Sequence, residues 1–210
     1  MASATSQSPT SPALAVLFDE NVTRDRLMRA MGESLMEKGY AGTVVADIVR
    51  RARVSRRTFY EEFDDRGECF LEICNRSTEF AREVINQAAD PALSWEEQSE
   101  NAVNAYFAFM TVEPQLTRAM LFEVYALGDR GLASHRDTHH AFTEQLLELA
   151  RRARESDDSI RDFSYASAAA VVGAIYQLIQ MATEEESRVS IAEARVAAFE
   201  LVMAMAAQRA

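Results

Sequence analysis

Cysteine is nearly absent: of 210 residues only Cys69 and Cys74 carry thiols, five positions apart and on different faces of any helix. That spacing excludes a disulfide or a shared metal between them and leaves two free, reduced thiols. Turn formers are scarce as well, with four prolines, seven glycines and no Asn-Gly or Asp-Gly pair. Without them, and without sustained alternation of apolar and polar residues, β-hairpins have nothing to build on. The early apolar run "ALAVLF" is far too short to cross a bilayer, and the first basic residue, Arg24, follows it rather than preceding it. The order of a secretory signal is therefore missing, and a cytoplasmic chain with no membrane association is expected. Catalytic patterns are missing too: there is no Ser/His/Asp arrangement, no phosphate loop and no paired-carboxylate signature, so neither an enzyme nor a cofactor is expected. Positive charge is in deficit overall, 22 Lys and Arg against 33 Asp and Glu, and the deficit is uneven. Residues 1–76 carry a net charge of −1 and residues 77–210 carry −10. An acidic body is repelled by nucleic acid, so any such contact has to be local and lie in the first part.

What is present is helical periodicity. Residues 1–21 begin with the Ser/Thr/Pro tract "SATSQSPTSP" and are read as a structureless leader. Leu27, Ala30, Met31 and Leu35 recur at helical steps, which predicts a helix over 23–38 closed by Gly39 in a left-handed backbone. Thr43 is expected to cap a second helix ending near 52, with Val45, Ile48, Val49 and Ala52 as its apolar stripe. Ser55 caps a third, in which Phe59 and Phe63 face the same side. Capping patterns at Asp65/Glu68 and Ser94/Glu97, and Pro114 at a first helical position, predict three longer helices ending at Pro91, before Pro114 and at Gly128. Three more are expected over about 131–156, 162–184 and 190–208. The fold class is all-α, about nine helices, with a leader (1–21), a helix-turn-helix unit (22–66) and a larger helical body (67–210).

The stretch "RRARVSRRTFYEEF", residues 50–63, puts five arginines within eight positions. With Phe59 and Phe63 turned inward, helical geometry turns Ser55, Arg56, Arg57, Thr58 and Tyr60 outward, where the third helix can enter a major groove. An arginine fork bonds a guanine edge bidentately, Thr58 meets a thymine methyl and Tyr60 a phosphate. Arg50, Arg51 and Arg53 lie near the DNA backbone on this reading. Arg66, at a helix start whose dipole favours anions, adds a phosphate contact.

The segment "GYAGTVVADIVRRARVSRRTFYEEFDDRGECFLEI" resembles the DNA-binding region of the TetR family of transcriptional repressors. The matching elements include Gly39-Tyr40, Thr43, Asp47-Ile48, Val54-Ser55, Thr58-Phe59-Tyr60, Phe63 and the run from Arg66 to Phe70. The resemblance implies DNA-contact roles for Thr43, Ser55, Arg56, Arg57, Thr58, Tyr60 and Arg66. Three positions depart from the family pattern. Arg66 replaces a usual lysine, Glu62 replaces a common histidine, and Arg53 stands where a turn glycine is usual. At Arg53 the backbone either avoids positive φ or bears a cost of order 1 kcal/mol.

Residues 77–210 carry no motif of that specificity. Aromatic and methionine side chains cluster on consecutive helices beyond the width of one stripe, consistent with an apolar cavity. In TetR-like proteins such a cavity takes a small-molecule effector, here expected to be hydrophobic or aromatic. The expected lining is Tyr106, Met110, Phe122, Tyr125 and Tyr176, with Gln177 or Gln180 as polar handle. His135 and His139 are one helical turn apart, but no fourth ligand is near, so they are read as hydrogen-bonded or pocket histidines and no metal is expected. The last two helices are apolar around much of their circumference and need covering, which, with the resemblance, implies a homodimer on a palindromic operator in double-stranded DNA. A DNA-binding protein of the same fold without an effector is the alternative.

Overall fold

Helices begin where the sequence supplies a cap. Ser55 Oγ accepts from the Thr58 N–H, Asp65 from Glu68, Ser94 from Glu97, Ser164 from Ser167 and Ser190 from Glu193. The computed structural model describes residues 11–184 and 186–207, and among these there are ten α-helices, one 3-10 turn and no strand. The helices are α1 Pro12–Leu17, α2 Thr23–Gly42, α3 Val45–Ala52, α4 Arg56–Glu62, α5 Arg66–Ala88, α6 Trp95–Val112, α7 Pro114–Phe122, α8 Asp129–Arg154, α9 Tyr165–Ala182 and α10 Ile191–Ala206. The 3-10 turn, Glu123–Leu127, joins α7 to α8. The chain is all-α, as expected.

Two expectations are corrected. Residues 12–18 do not belong to a structureless leader: they form α1 and its C-cap, with Leu14, Leu17 and Phe18 buried. Ser11 caps the helix, Pro12 preorganises its first turn, and Leu14 drops into a notch where a Cβ on Gly32 would lie 2.7 Å from its Cδ2. A six-residue helix is marginal alone. Burying three large apolar side chains, at about 1.5–3 kcal/mol each, supplies what propensity cannot. Residues 1–10, the rest of the expected leader, lie outside the described residues. The second correction concerns Thr43, which does not cap α3. Val44 occupies that position, and its N–H is accepted by the Asp47 carboxylate at 3.3 Å.

Packing runs across the expected boundary at residue 66. One buried cluster joins Leu27 and Met31 of α2, Ile48 of α3, Phe59 of α4, Phe70 and Ile73 of α5 and Leu116 of α7. The first helices and the start of the body thus share a core. Beyond it, α6 packs against α5 and α10, while α8 and α10 pack against α9. The α9 helix is long and apolar enough by composition to cross a membrane, yet only 22% of it is buried within the chain. Ala168, Val171 and Ile179 face inward, while Tyr165 on α9 and Val196 and Leu201 on α10 remain exposed.

Candidate functional site

The turn before α4 is set by Arg53, whose φ of 55° and ψ of 44° put a non-glycine residue in the left-handed region. Such a residue costs about 1–2 kcal/mol, against which glycine's extra unfolded-state freedom of about 0.5–1 kcal/mol must be set. Arg53→Gly is therefore expected to raise stability by about 0.5–1 kcal/mol, read as a Tm increase of about 1–4 °C by calorimetry. A lower Tm would mean that the arginine makes a compensating contact. Val54 closes the turn by donating to the Val49 carbonyl at 3.0 Å.

Phe59 is fully buried, and its ring lies 5.7 Å from that of Phe63. Arg24 of α2 stacks on Phe63 at 4.2 Å and donates to the Glu62 carbonyl, fixing the end of α4. With that face anchored, Ser55, Arg56, Arg57 and Tyr60 are exposed and Thr58 is half-buried. Arg57 is 89% exposed and paired along the helix with Glu61 at 2.9 Å. Arg53 and Arg56 make no hydrogen bond or ion pair among the described residues, so their guanidinium groups are unspent. Arg51 turns the other way, to Glu33 and Glu37 of α2.

Two expected contact residues are engaged elsewhere. Thr43 is fully buried, its hydroxyl donating to the Gly39 carbonyl at 2.7 Å and meeting Ser34 Oγ at 3.0 Å, so its side chain has no surface to offer. Arg66 donates to the carbonyls of Tyr40, at 2.6 Å, and Thr43, and its guanidinium stacks on the Tyr40 ring at 4.2 Å. Both hold the junction between α2 and α3 in place. Sequence alone could not separate a hydroxyl that caps or contacts from one that closes a kink.

Beyond the shared core, polar contacts from the 3-10 turn and α8 hold this unit. Glu123, in the 3-10 turn, accepts from the Tyr40 N–H beside Gly39, whose φ of 68° and crowding against that carboxylate admit only glycine. Arg130, in the first turn of α8, bonds Asp65 at 2.7 Å and holds its carboxyl below the usual carboxylate range. A Cβ on Gly67 would lie 2.8 Å from Leu127 Cδ2, so α5 and the turn touch closely.

Behind the grip lies an interior cavity between α5, α6, α8 and α9, with about 830 Å³ of empty space, part of it open to solvent. A second chamber of about 540 Å³ adjoins it toward α7, and Tyr106, Phe142 and Tyr176 line both. Both are concave and mostly apolar with a few polar groups on their walls, the character of small-ligand sites. Of the expected lining, Tyr106, Met110 and Tyr176 are in place. Phe122, Tyr125, Gln177 and Gln180 are not: Gln177 points to solvent, Gln180 donates to the Leu121 carbonyl, and Tyr125 packs against His135 from the 3-10 turn. Trp95, Ser99 and Gln145 were missed. Ser99, Val103 and Tyr106 fall on one face of α6 at steps of four and three, a signal available in the sequence. His135 and His139 lie 4.3 Å apart against Tyr176, each lining a chamber. Burial lowers the pKa of both, that of His139 to about 4, so both are neutral near pH 7. Among the described residues no group of His, Cys, Asp and Glu side chains could hold a metal ion.

The chain is similar to known proteins in part of its sequence and in its fold. Residues 27–73 match the family described as bacterial regulatory proteins, tetR family. The HTH-type transcriptional activator FasR of Mycolicibacterium smegmatis is 24% identical over 129 residues, which cover 61% of this chain and 59% of that one. A tetR-family bacterial regulatory protein from Rhodococcus RHA1 superposes with a TM-score of 0.65 at 18% identity, covering 90% of this chain and 98% of that one. The regulatory protein TetR from Rhodobacter sphaeroides gives 0.63 at 20% identity, covering 87% and 98%. Fold and matched segment together define an all-α chain with a helix-turn-helix unit similar to that of bacterial tetR-family regulatory proteins. The family match covers residues 27–73, and over the rest of the chain the likeness to tetR-family regulators is one of fold.

Proposed function

We propose that the protein works in the cytoplasm as a homodimer that sets α4 of each subunit into successive major grooves of a palindromic operator and lets go when a small, largely apolar effector fills the cavity. The observation that carries this is the unspent edge of α4. Arg53, Arg56 and Tyr60 are exposed with the helix pinned beneath them by Phe59, and Arg57 is tied only to Glu61 on its own helix. Ser55 and Thr58 complete the edge, their hydroxyls bonded to each other at 2.9 Å while Ser55 Oγ also caps the helix. Thr43 and Arg66 serve as positioning residues.

The dimer is supported by the uncovered apolar faces of α9 and α10, where Gly173 has nothing within 4 Å of a Cβ position and so leaves room for a second helix pair. Apolar surface of that extent is costly in water and is met by a second copy of itself across a two-fold axis. Release follows from linkage: a ligand that prefers the body with its grip on Gly39, Tyr40 and Asp65 shifted lowers DNA affinity by the same factor as DNA lowers its own.

Footprinting on DNA upstream of the protein's own coding sequence is expected to protect two half-sites about 10 base pairs apart, or a multiple of that spacing. A single half-site at saturation overturns the dimeric reading. A promoter fusion gives the sign of control, and reporter output is expected to rise when the gene is removed. A fall instead would make the chain an activator, the activity named for the M. smegmatis relative.

A further inference from the structure

We propose that the cavity selects an uncharged and mostly apolar molecule carrying one neutral head group that both accepts and donates hydrogen bonds, such as an amide or an alcohol. The inference names the chemistry of the ligand and rests on the reading of the cavity as the effector site. Three observations point to it.

The first is the charge of the walls. Among the described residues, no Lys, Arg, Asp or Glu lines either chamber. Their titratable groups are all neutral near pH 7: burial raises Tyr106 and Tyr176, pushes Cys74 up to about 12 and lowers both histidines. An ion entering such a space loses its hydration and meets no countercharge, a loss that hydrogen bonds do not repay. In a chain with 55 charged side chains, 22 basic and 33 acidic, their absence from both linings discriminates among ligands.

The second is a set of orphaned polar atoms on the larger chamber's walls. Trp95 Nε1, Ser99 Oγ, His139 Nε2 and Gln145 Oε1 are buried without a partner among the described residues. Gln145 is fixed in orientation because its amide nitrogen donates to the Arg82 carbonyl at 2.7 Å and to Asn86 at 2.8 Å, leaving the oxygen as a pure acceptor. The indole N–H is a pure donor. A head group that satisfies both must itself accept and donate, which a hydrocarbon, an ether or a carboxylate does not do. Native interiors rarely leave such groups unpaired, and an unpaired cluster on a cavity wall is what a ligand completes.

The third is shape. The two chambers meet at Tyr106, Phe142 and Tyr176, with the Tyr106 and Phe142 rings 5.4 Å apart. At that distance the two rings are in contact and wall one chamber from the other, so head and tail both lie in the larger chamber, the tail along its apolar side chains.

The only tryptophan of the chain, Trp95, sits on the cavity wall, so its emission reports binding without DNA. Titrating the full chain at pH 7.5 with decanamide, decanoate and decylammonium compares one tail with three head groups. Decanamide is expected to give a saturable change, with both ions at least about 100-fold weaker. Ser99→Ala is expected to weaken decanamide about fivefold while the empty variant melts no lower than the parent, because the orphaned hydroxyl is gone. Equal affinity, within about threefold, for either ion would overturn the proposal, as would the lack of a saturable change with decanamide up to its solubility. DNA affinity measured alongside keeps the two readings apart. Decanamide that binds without releasing DNA leaves the ligand class standing and removes the effector role, whereas an ion that binds and releases DNA does the reverse.

Discussion

Changing Arg56 and Arg57 together to glutamate abolishes specific DNA binding, with an expected loss of about 1,000-fold or more at physiological salt while the melting temperature stays within a few degrees. Each base- or phosphate-contacting arginine contributes about 1–3 kcal/mol, and a reversed charge adds repulsion from the duplex. Neither side chain supports the fold: Arg56 touches no partner among the described residues and Arg57 is bonded only to Glu61 on its own helix. Gel shift against upstream DNA, with calorimetry on the same samples, separates lost contact from lost structure. A double variant that still binds within about tenfold of the parent would move the interface elsewhere.

The second large effect is expected at Gly131. A Cβ there would lie 2.0 Å from the Val124 carbonyl oxygen and 2.9 Å from its carbon, and a backbone carbonyl cannot rotate out of the way as a side chain can. Gly131→Ala therefore forces the first turn of α8 away from the 3-10 turn, at a cost of about 3 kcal/mol or more, read as a Tm lower by about 6–12 °C. Arg130 is the next residue and Glu123 lies in that turn, so the displacement unseats both contacts to Asp65 and Tyr40. Operator affinity is expected to fall together with Tm, although Gly131 is in the body rather than on α4. A Tm within about 2 °C of the parent would show that the junction yields freely and would remove its claim to couple the two parts.

Much of the DNA-facing unit was legible because its signals are local. Ser55 as a cap, Phe59 and Phe63 four apart, and Gly39 at a helix end each follow from spacing within one turn, and the structure repeats them. What was misread depends on distant partners. Whether Thr43 caps a helix or bonds the Gly39 carbonyl turns on the kink that precedes it, and whether Arg66 reaches DNA or the Tyr40 ring turns on the approach of α5 to α2. The α1 helix was missed because six residues carry no period, and its order comes from Gly32, eighteen positions on. Gln177 was misplaced because α9 is apolar all round, which leaves its rotation unmarked in the sequence, whereas Tyr106 and Tyr176 were placed correctly by bulk alone. Trp95 and Ser99 went unseen because attention to large apolar clusters passes over a lone indole and a hydroxyl at the start of the same helix.

The exposed arginines and the uncharged chamber behind them answer to different properties of the surrounding solution. Counterions compete for every phosphate that α4 would neutralise, so raising ionic strength loosens that end steeply. A wall without ions has nothing for dissolved salt to screen, so the interior keeps its affinity in the same buffer. Under the proposed function, a rise in salt inside the cell would thus loosen the hold on the operator without anything occupying the chamber.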